Sequence, residues 1–316
     1  MKLETIIRDL TRLRRAGTKY GVAPHKPVLL MSLFDLMDSG IMPDNRFFVN
    51  SDLVGTFHEN WSLLVNTGHQ EDFTQPFYYL QNDRINNTRF WFLKPKPGYS
   101  IQAHIKNIFT LSEVLEFAHF SEDFFAVLAI LGNRHIIREF LLETYFPGAK
   151  EAFMQRKKGE SRYLRSIEAY VLNEVPVVER LQVAEQEIVY VRNGTFKKWV
   201  PKIYLYTCAI SGMKAISTYG YSLIDACHIR PFADNQDDRV GNGIALCPNL
   251  HRAFDRGLIG IDSDYRVMVS DQIREDSSHG YSLQKLQGKR VLLPDEKRLW
   301  PNQDNLEWHR DHRFSK

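Results

Sequence analysis

The sequence predicts an α+β protein of two domains, and three observations carry that prediction. The chain has 316 residues, enough for two separate cores. In the N-terminal half, apolar runs of helical spacing alternate with short aromatic runs of strand character. Toward the C-terminus, residues 221–255 hold a strand–loop–strand–helix pattern dense in side chains that bind ions or move protons. The expected divisions are 1–155, a basic linker region at 156–186, and 187–316.

From the start of the chain, residues 3–16 alternate apolar and basic positions at helical spacing, with Arg8, Arg12, Arg14 and Arg15 on the polar side. A charge run of this kind reads first as a solvated face. A second helix begins near Pro27, because proline lacks only an N–H that the first helical turn does not use. The run behind it, Val28-Leu-Leu-Met-Ser-Leu-Phe, is apolar nearly all round and predicts a buried helix. Its N-terminus, beside His25 and Lys26, is suited to a phosphate. Phe73 to Arg84 and Arg89 to Leu93 read as two strands joined by a polar turn. Residues 111–145 carry two helical patterns, the second running through Asn133–Thr144 and stopping at Tyr145-Phe-Pro-Gly.

Between the halves, residues 150–165 hold Lys150, Arg156, Lys157, Lys158, Arg162 and Arg165 around Gly159. This stretch reads either as a solvated connector or as a track for a polyanion. Glu187 to Gly194 is expected to be a strand ending in a turn, with Thr195 capping a helix that leads to Cys208. Tyr221-Ser-Leu-Ile then delivers His228 at a strand end. A polar loop follows from Ala233 to Gly241, then a second strand at Ile244-Ala-Leu, then a helix begun by Pro248. His251 and Asp255 stand four apart on that helix, so both can reach one ion.

These residue types suit phosphodiester hydrolysis, which needs an activated water, charge neutralisation and a stabilised leaving oxygen. A neutral imidazole can activate water near pH 7, the role expected of His228. A divalent ion polarises the phosphate. The ordered set resembles the HNH nuclease motif, the ββα-metal finger. That resemblance implies Asn242 as the residue bracing the loop behind His228, His251 as a metal ligand, and Asp255 as a second helical ligand. It implies Mg²⁺ or Mn²⁺ as cofactor and double-stranded DNA as substrate. The residue before the base is often Asp or His in that family; here it is Cys227, which leaves Cys227 or Asp225 as the strand-side ligand. Cys208-Ala-Ile-Ser-Gly and Leu306-Glu-Trp-His-Arg-Asp-His-Arg-Phe resemble segments flanking the finger in the restriction-type branch.

In the N-terminal half, Ala23-Pro-His-Lys-Pro-Val-Leu-Leu, Gln75-Pro-Phe-Tyr-Tyr-Leu with Phe90-Trp91, and Leu142-Glu-Thr-Tyr-Phe-Pro resemble the sulfur-binding domain of McrA-like type IV restriction endonucleases. That family reads phosphorothioate-modified DNA and joins its reader to a C-terminal HNH domain. The implied function is a modification-dependent restriction endonuclease. Sulfur in place of a phosphate oxygen is larger and more poorly hydrated, so a reader needs an apolar cup ringed by cations. Pro76, Phe77 and Tyr78 are the expected cup, with Arg15, His25 and Lys26 as the ring. Phe77 and Tyr79 read equally well as core of a strand pair, and Gln75 stands where the family often has Tyr. Two other readings stay open: a conventional sequence-specific HNH restriction enzyme, and a catalytically degenerate HNH module that binds DNA.

Composition bounds the rest. A net charge of +3 is too mild to mark the whole surface as a nucleic-acid binder. No apolar run approaches the roughly 18–20 residues of a membrane helix, and the charged start Met1-Lys-Leu-Glu-Thr lacks a signal-peptide core. A cytoplasmic protein is expected. Cys208, Cys227 and Cys247 form no C-x-x-C pair, which argues against a zinc ribbon and for reduced interior residues. One HNH finger cuts one strand, so a duplex break needs two sites or two events, and a homodimer would supply them.

Overall fold

The computed structural model describes residues 1–41, 44–156, 162–174, 186–218 and 221–315. Within them the chain is a mixture of helices and small antiparallel sheets, consistent with the α+β expectation, and it divides into two compact units. The first unit takes in residues 1–166 and 183–191; the second takes in 167–182 and 192–316.

In the first unit, α1 (Leu3–Leu10) is followed by the short hairpin β1 (Gly17–Thr18) and β2 (Gly21–Val22), then α2 (His25–Asp38) and α3 (Ser51–Leu64). As its all-round apolar pattern predicts, α2 is central: Val28 to Phe34 are all buried. Next come α4 (Thr74–Tyr79), the hairpin β3 (Arg84–Ile85) and β4 (Thr88–Arg89), β5 (Trp91–Pro95), α5 (Ile108–Val114) and β6 (Leu115–Phe120). β5 and β6 pair antiparallel, Trp91 opposite Phe120. Their inner side chains join Phe47 and Phe124 in an aromatic core with ring centroids 5.0–5.7 Å apart. The helices α6 (Glu122–Leu128), α7 (Leu131–Tyr145) and α8 (Lys150–Arg156) follow. The expected helix 133–144 lies inside α7. Lys157, Lys158 and Gly159 of the expected connector lie outside the described residues, as do residues 175–185. Between them Arg162–Val171 is a helix, α9, rather than open linker, and it buries Ile167, Tyr170 and Val171.

Two expected strands are helices. Residues 74–79, read as strand from their aromatic content, form α4. Asp72 Oδ1 accepts hydrogen bonds from Gln75 N at 3.0 Å and Thr74 Oγ1 at 2.8 Å, capping the first turn, where Pro76 is tolerated. Phe73 and Phe77, one turn apart, are buried together at 5.2 Å. Residues 187–194 belong to α10 (Gln186–Ile203), and Thr195 lies inside it instead of capping it. The buried set Val191, Arg192, Thr195, Phe196 and Val200 recurs at helical spacing. Tertiary burial of that stripe outweighs the strand propensity of Ile188-Val-Tyr-Val.

In the second unit, β7 (Asp225–His228) pairs antiparallel with β8 (Gly243–Leu246), with His228 opposite Gly243. The loop between them carries α11 (Phe232–Asn235) and a 3-10 turn at Val240–Asn242. α12 (Pro248–Asp255) follows at once, then the hairpin β9 (Ile259–Ile261) and β10 (Val267–Val269), and finally α13 (Gln303–His312). α13 is pinned to α12: His309 Nε2 donates to Phe254 O at 2.9 Å, and the two rings stack at 3.7 Å. The strand–loop–strand–helix order read from residues 221–255 is therefore observed. All three cysteines are free and buried.

Candidate active site

His228 closes β7. Its Nε2 lies 3.2 Å from Asp238 Oδ1, and Asp238 is fully buried. A carboxylate oxygen accepts, so Nε2 carries the proton and Nδ1 keeps the lone pair. Asp238 is itself held by Arg192 Nη2 at 3.4 Å and Asn193 Nδ2 at 3.5 Å. Phe196 of α10 stacks on the imidazole at 4.0 Å and 9°. That approach needs Gly243 on the opposing strand, where a Cβ would stand 2.7 Å from Phe196 Cε2 and 2.8 Å from Val200 Cγ2. Nothing in the sequence singles out Asp238, Arg192 or Phe196 for this site. Asp238 stands in plain view beside Asp237 in the polar loop, but only the bend of that loop brings it to His228.

Asn242 is fully buried and braces the loop as the motif implies. Its Oδ1 accepts from Arg230 N at 2.9 Å, while its Nδ2 donates to Arg230 O at 2.9 Å and Asp237 O at 3.0 Å. The side-chain oxygen and both amide protons are used, which fixes the backbone just past His228.

On α12, His251 Nε2 lies 3.5 Å from Asp255 Oδ2, and its Nδ1 lies 3.1 Å from Asp225 Oδ2. Cys227, His251 and Asp255 offer ligand atoms all within 4.8 Å of one another. Of the four expected ligands, these three converge; Asp225 sits outside that trio and braces His251 from the strand. Burial, reinforced by the neighbouring Asp255 carboxylate, raises the Cys227 thiol well above its ordinary range. The imidazole and carboxylates fit a divalent ion, and the sulfur makes the set softer than the all-oxygen shell Mg²⁺ favours.

The other expected residues lie in the first unit. A cavity of about 560 Å³ is lined by Arg15, His25, Lys26, Gln75, Pro76 and Tyr79, with Arg14 and Arg84 also on its wall. Arg15, His25, Lys26 and Pro76 are thus brought together. Phe77 and Tyr78 are not. Phe77 is wholly buried against Phe73 and Trp91, and the Tyr78 hydroxyl donates to Gln102 O at 3.0 Å. Because residues 74–79 are helical and not extended, Tyr79, one turn on from Gln75, takes the place expected of those two rings. The ring of cations is also thinner than expected. Lys26 Nζ is paired with Asp83 and donates to Arg14 O at 2.8 Å. His25 Nε2 donates to Gln70 O at 2.9 Å, and burial lowers its pKa, which favours the neutral ring. Arg15 lies 4.3 Å over the Tyr145 ring and remains the clearest charge of the three.

No curated protein sequence matches this chain. Among solved structures, one described as a modification dependent TagI restriction endonuclease shares 23% identity at a TM-score of 0.30, covering 37% of this chain. The chain spans 36% of that protein's length. The family model of HNH endonucleases matches residues 208–262, the segment that contains β7, β8 and α12. This chain therefore carries an HNH endonuclease domain at residues 208–262.

Proposed function

We propose that this chain is a nuclease, a modification-dependent restriction endonuclease acting on double-stranded DNA. The observation that carries the catalytic half is the His228–Asp238 pair standing beside the Cys227, His251 and Asp255 donor group. In this reading His228 Nδ1 takes the proton of the attacking water, and Asp238 stabilises the imidazolium that forms. Asn242 keeps the loop in place, and Phe196 keeps the ring from turning. His251 and Asp255 would hold a divalent ion, with Cys227 next to it and Asp225 orienting His251. When bound, that ion neutralises phosphate charge and stabilises the departing oxygen. The mixed donor set favours Mn²⁺ or a similar borderline ion over Mg²⁺. His228→Ala should abolish cleavage with Mn²⁺ or Mg²⁺ while leaving DNA binding intact; equal cutting by the variant would refute this assignment.

The substrate reading rests on the cavity of the first unit. Pro76, Ala16, Ala23 and the Tyr79 ring supply apolar surface, and Arg15 supplies charge for a backbone phosphate. That combination suits a phosphorothioate in the DNA backbone. The test is binding of the full chain to otherwise identical duplexes carrying one phosphorothioate, one hydroxymethylcytosine or neither. A tenfold preference for sulfur, about 1.4 kcal/mol, supports the reading. Equal binding that weakens in parallel with salt leaves only phosphate contacts and refutes it. Cleavage of unmodified DNA at a fixed site would instead identify a conventional restriction enzyme. A double-strand break needs two such sites or two events, and a homodimer is the assembly that would supply both sites.

A further inference from the structure

We infer that Arg230 and Trp308 form a seat for a backbone phosphate of the DNA strand next to the bond being cut. The inference rests on the proposal that His228 cleaves DNA. Arg230 lies two residues beyond His228, and the Asn242 side chain grips its backbone from both sides, N–H and carbonyl. Its guanidinium carbon lies 5.1 Å from the Trp308 ring centroid. Among the described residues it has no carboxylate partner, and its Nε is buried without a hydrogen-bond acceptor. Arg192 and Arg239, by contrast, are each tied to an aspartate.

A buried N–H without an acceptor is costly, and so is a guanidinium without a counter-charge. Stacking on an aromatic face orients the planar fork but satisfies none of its donors. What would neutralise the guanidinium is a two-oxygen anion taken by its terminal nitrogens, since Nε is enclosed, and a phosphodiester provides one. The rest of the cluster points the same way. Arg313 also lies over the Trp308 ring, at 5.9 Å, and His312 stacks on it at 4.9 Å and 7°. Among the described residues Arg313 has only a distant carboxylate partner, Asp234, at 3.9 Å. The platform is rigid because the neighbouring His309 is locked to Phe254. A charged fork is thus held at fixed register from the proposed base, on a fixed aromatic support.

The test uses the full chain and separates a phosphate contact from a packing role. Affinity for a duplex is measured without metal over a range of salt, for wild type, Arg230→Gln and Arg230→Lys. Gln keeps a planar end group against Trp308 but carries no charge. The slope of log affinity against log salt should fall by about one for Arg230→Gln and stay unchanged for Arg230→Lys. With metal added, Arg230→Lys should lose roughly tenfold or more in kcat/KM, because an ammonium cannot replace the fork. Thermal midpoints should stay near wild type. An unchanged slope in folded Arg230→Gln overturns the inference, as does a lowered midpoint without a slope change, which would mark Arg230 as packing for α13. Should wild type cut no DNA, the cleavage proposal fails, while the metal-free slope still decides the phosphate seat.

Discussion

Replacing Asn242 by Asp changes almost no volume, yet it reverses the polarity of a fully buried group. Asn242 makes three hydrogen bonds, two of them donated by Nδ2 to Arg230 O at 2.9 Å and Asp237 O at 3.0 Å. An aspartate would aim a carboxylate oxygen at both carbonyls. Each lost bond contributes about 1 kcal/mol, and each buried carbonyl left without a donor costs about 1–3 kcal/mol more. The two bonds and two stranded carbonyls together point to a loss of about 4–8 kcal/mol. For a unit of this size, at roughly 2–4 °C per kcal/mol, the melting midpoint should fall by roughly 10 °C or more. The carboxyl would resist ionisation between two carbonyls, so its folded-state pKa would be raised. Protonation restores one donor, and part of the loss should therefore be recovered at pH 5 relative to pH 8. Circular-dichroism melts at the two pH values, read beside denaturant unfolding, measure both effects. A variant within 1 kcal/mol of wild type at pH 8, with no pH dependence of its own, would refute the bracing role.

Three further outcomes follow from the geometry. Asp238→Asn removes the charge that fixes the His228 tautomer and should slow single-turnover cleavage by about 10²–10⁴-fold; it also takes the Asp238 charge away from Arg192, so stability must be measured alongside. Gly243→Ala drives a methyl into Phe196 and Val200, costing about 1–3 kcal/mol and loosening the ring stacked on His228; unaltered stability would mean that this contact relaxes freely. Burial of Glu187 raises its carboxyl from 4.5 to about 7. The folded state then holds a proton that the unfolded chain releases, so stability falls as pH rises from 4.5 to 7, by about 3 kcal/mol in all. Denaturant midpoints at pH 5 and 8 should show that slope in wild type and not in Glu187→Gln.

The parts of the fold legible in the sequence are those whose geometry is local. His228, Asn242, His251 and Asp255 sit in one hairpin and the helix after it, so their order along the chain nearly fixes their arrangement. The buried helix behind Pro27 is legible for a similar reason, since a long run with apolar residues on every side leaves little choice about burial. Contacts across long separations are hidden. Lys26 looks like a free cation until Asp83, 57 residues away, is placed against it. Phe77 looks like a binding aromatic until Trp91 covers it. The misread helices share one cause: α4 and α10 are rich in aromatic and β-branched residues, whose strand preference is weaker than the burial that overrides it. The Val191–Thr195–Val200 spacing is available as a corrective, and it outranks propensity when the two disagree.

The stacking of Phe196 on His228 also makes the imidazole observable. A ring lying 4.0 Å away and nearly parallel places the imidazole protons in the shielding cone of the phenyl current. Of eleven histidines, His228 should therefore give carbon-bound proton resonances displaced upfield, as should His309 stacked on Phe254 at 3.7 Å. The displaced signal that disappears in His228→Ala follows this one side chain without any substrate turnover. It would also register the arrival of an ion at His251 and Asp255, through the field that ion exerts on the neighbouring ring.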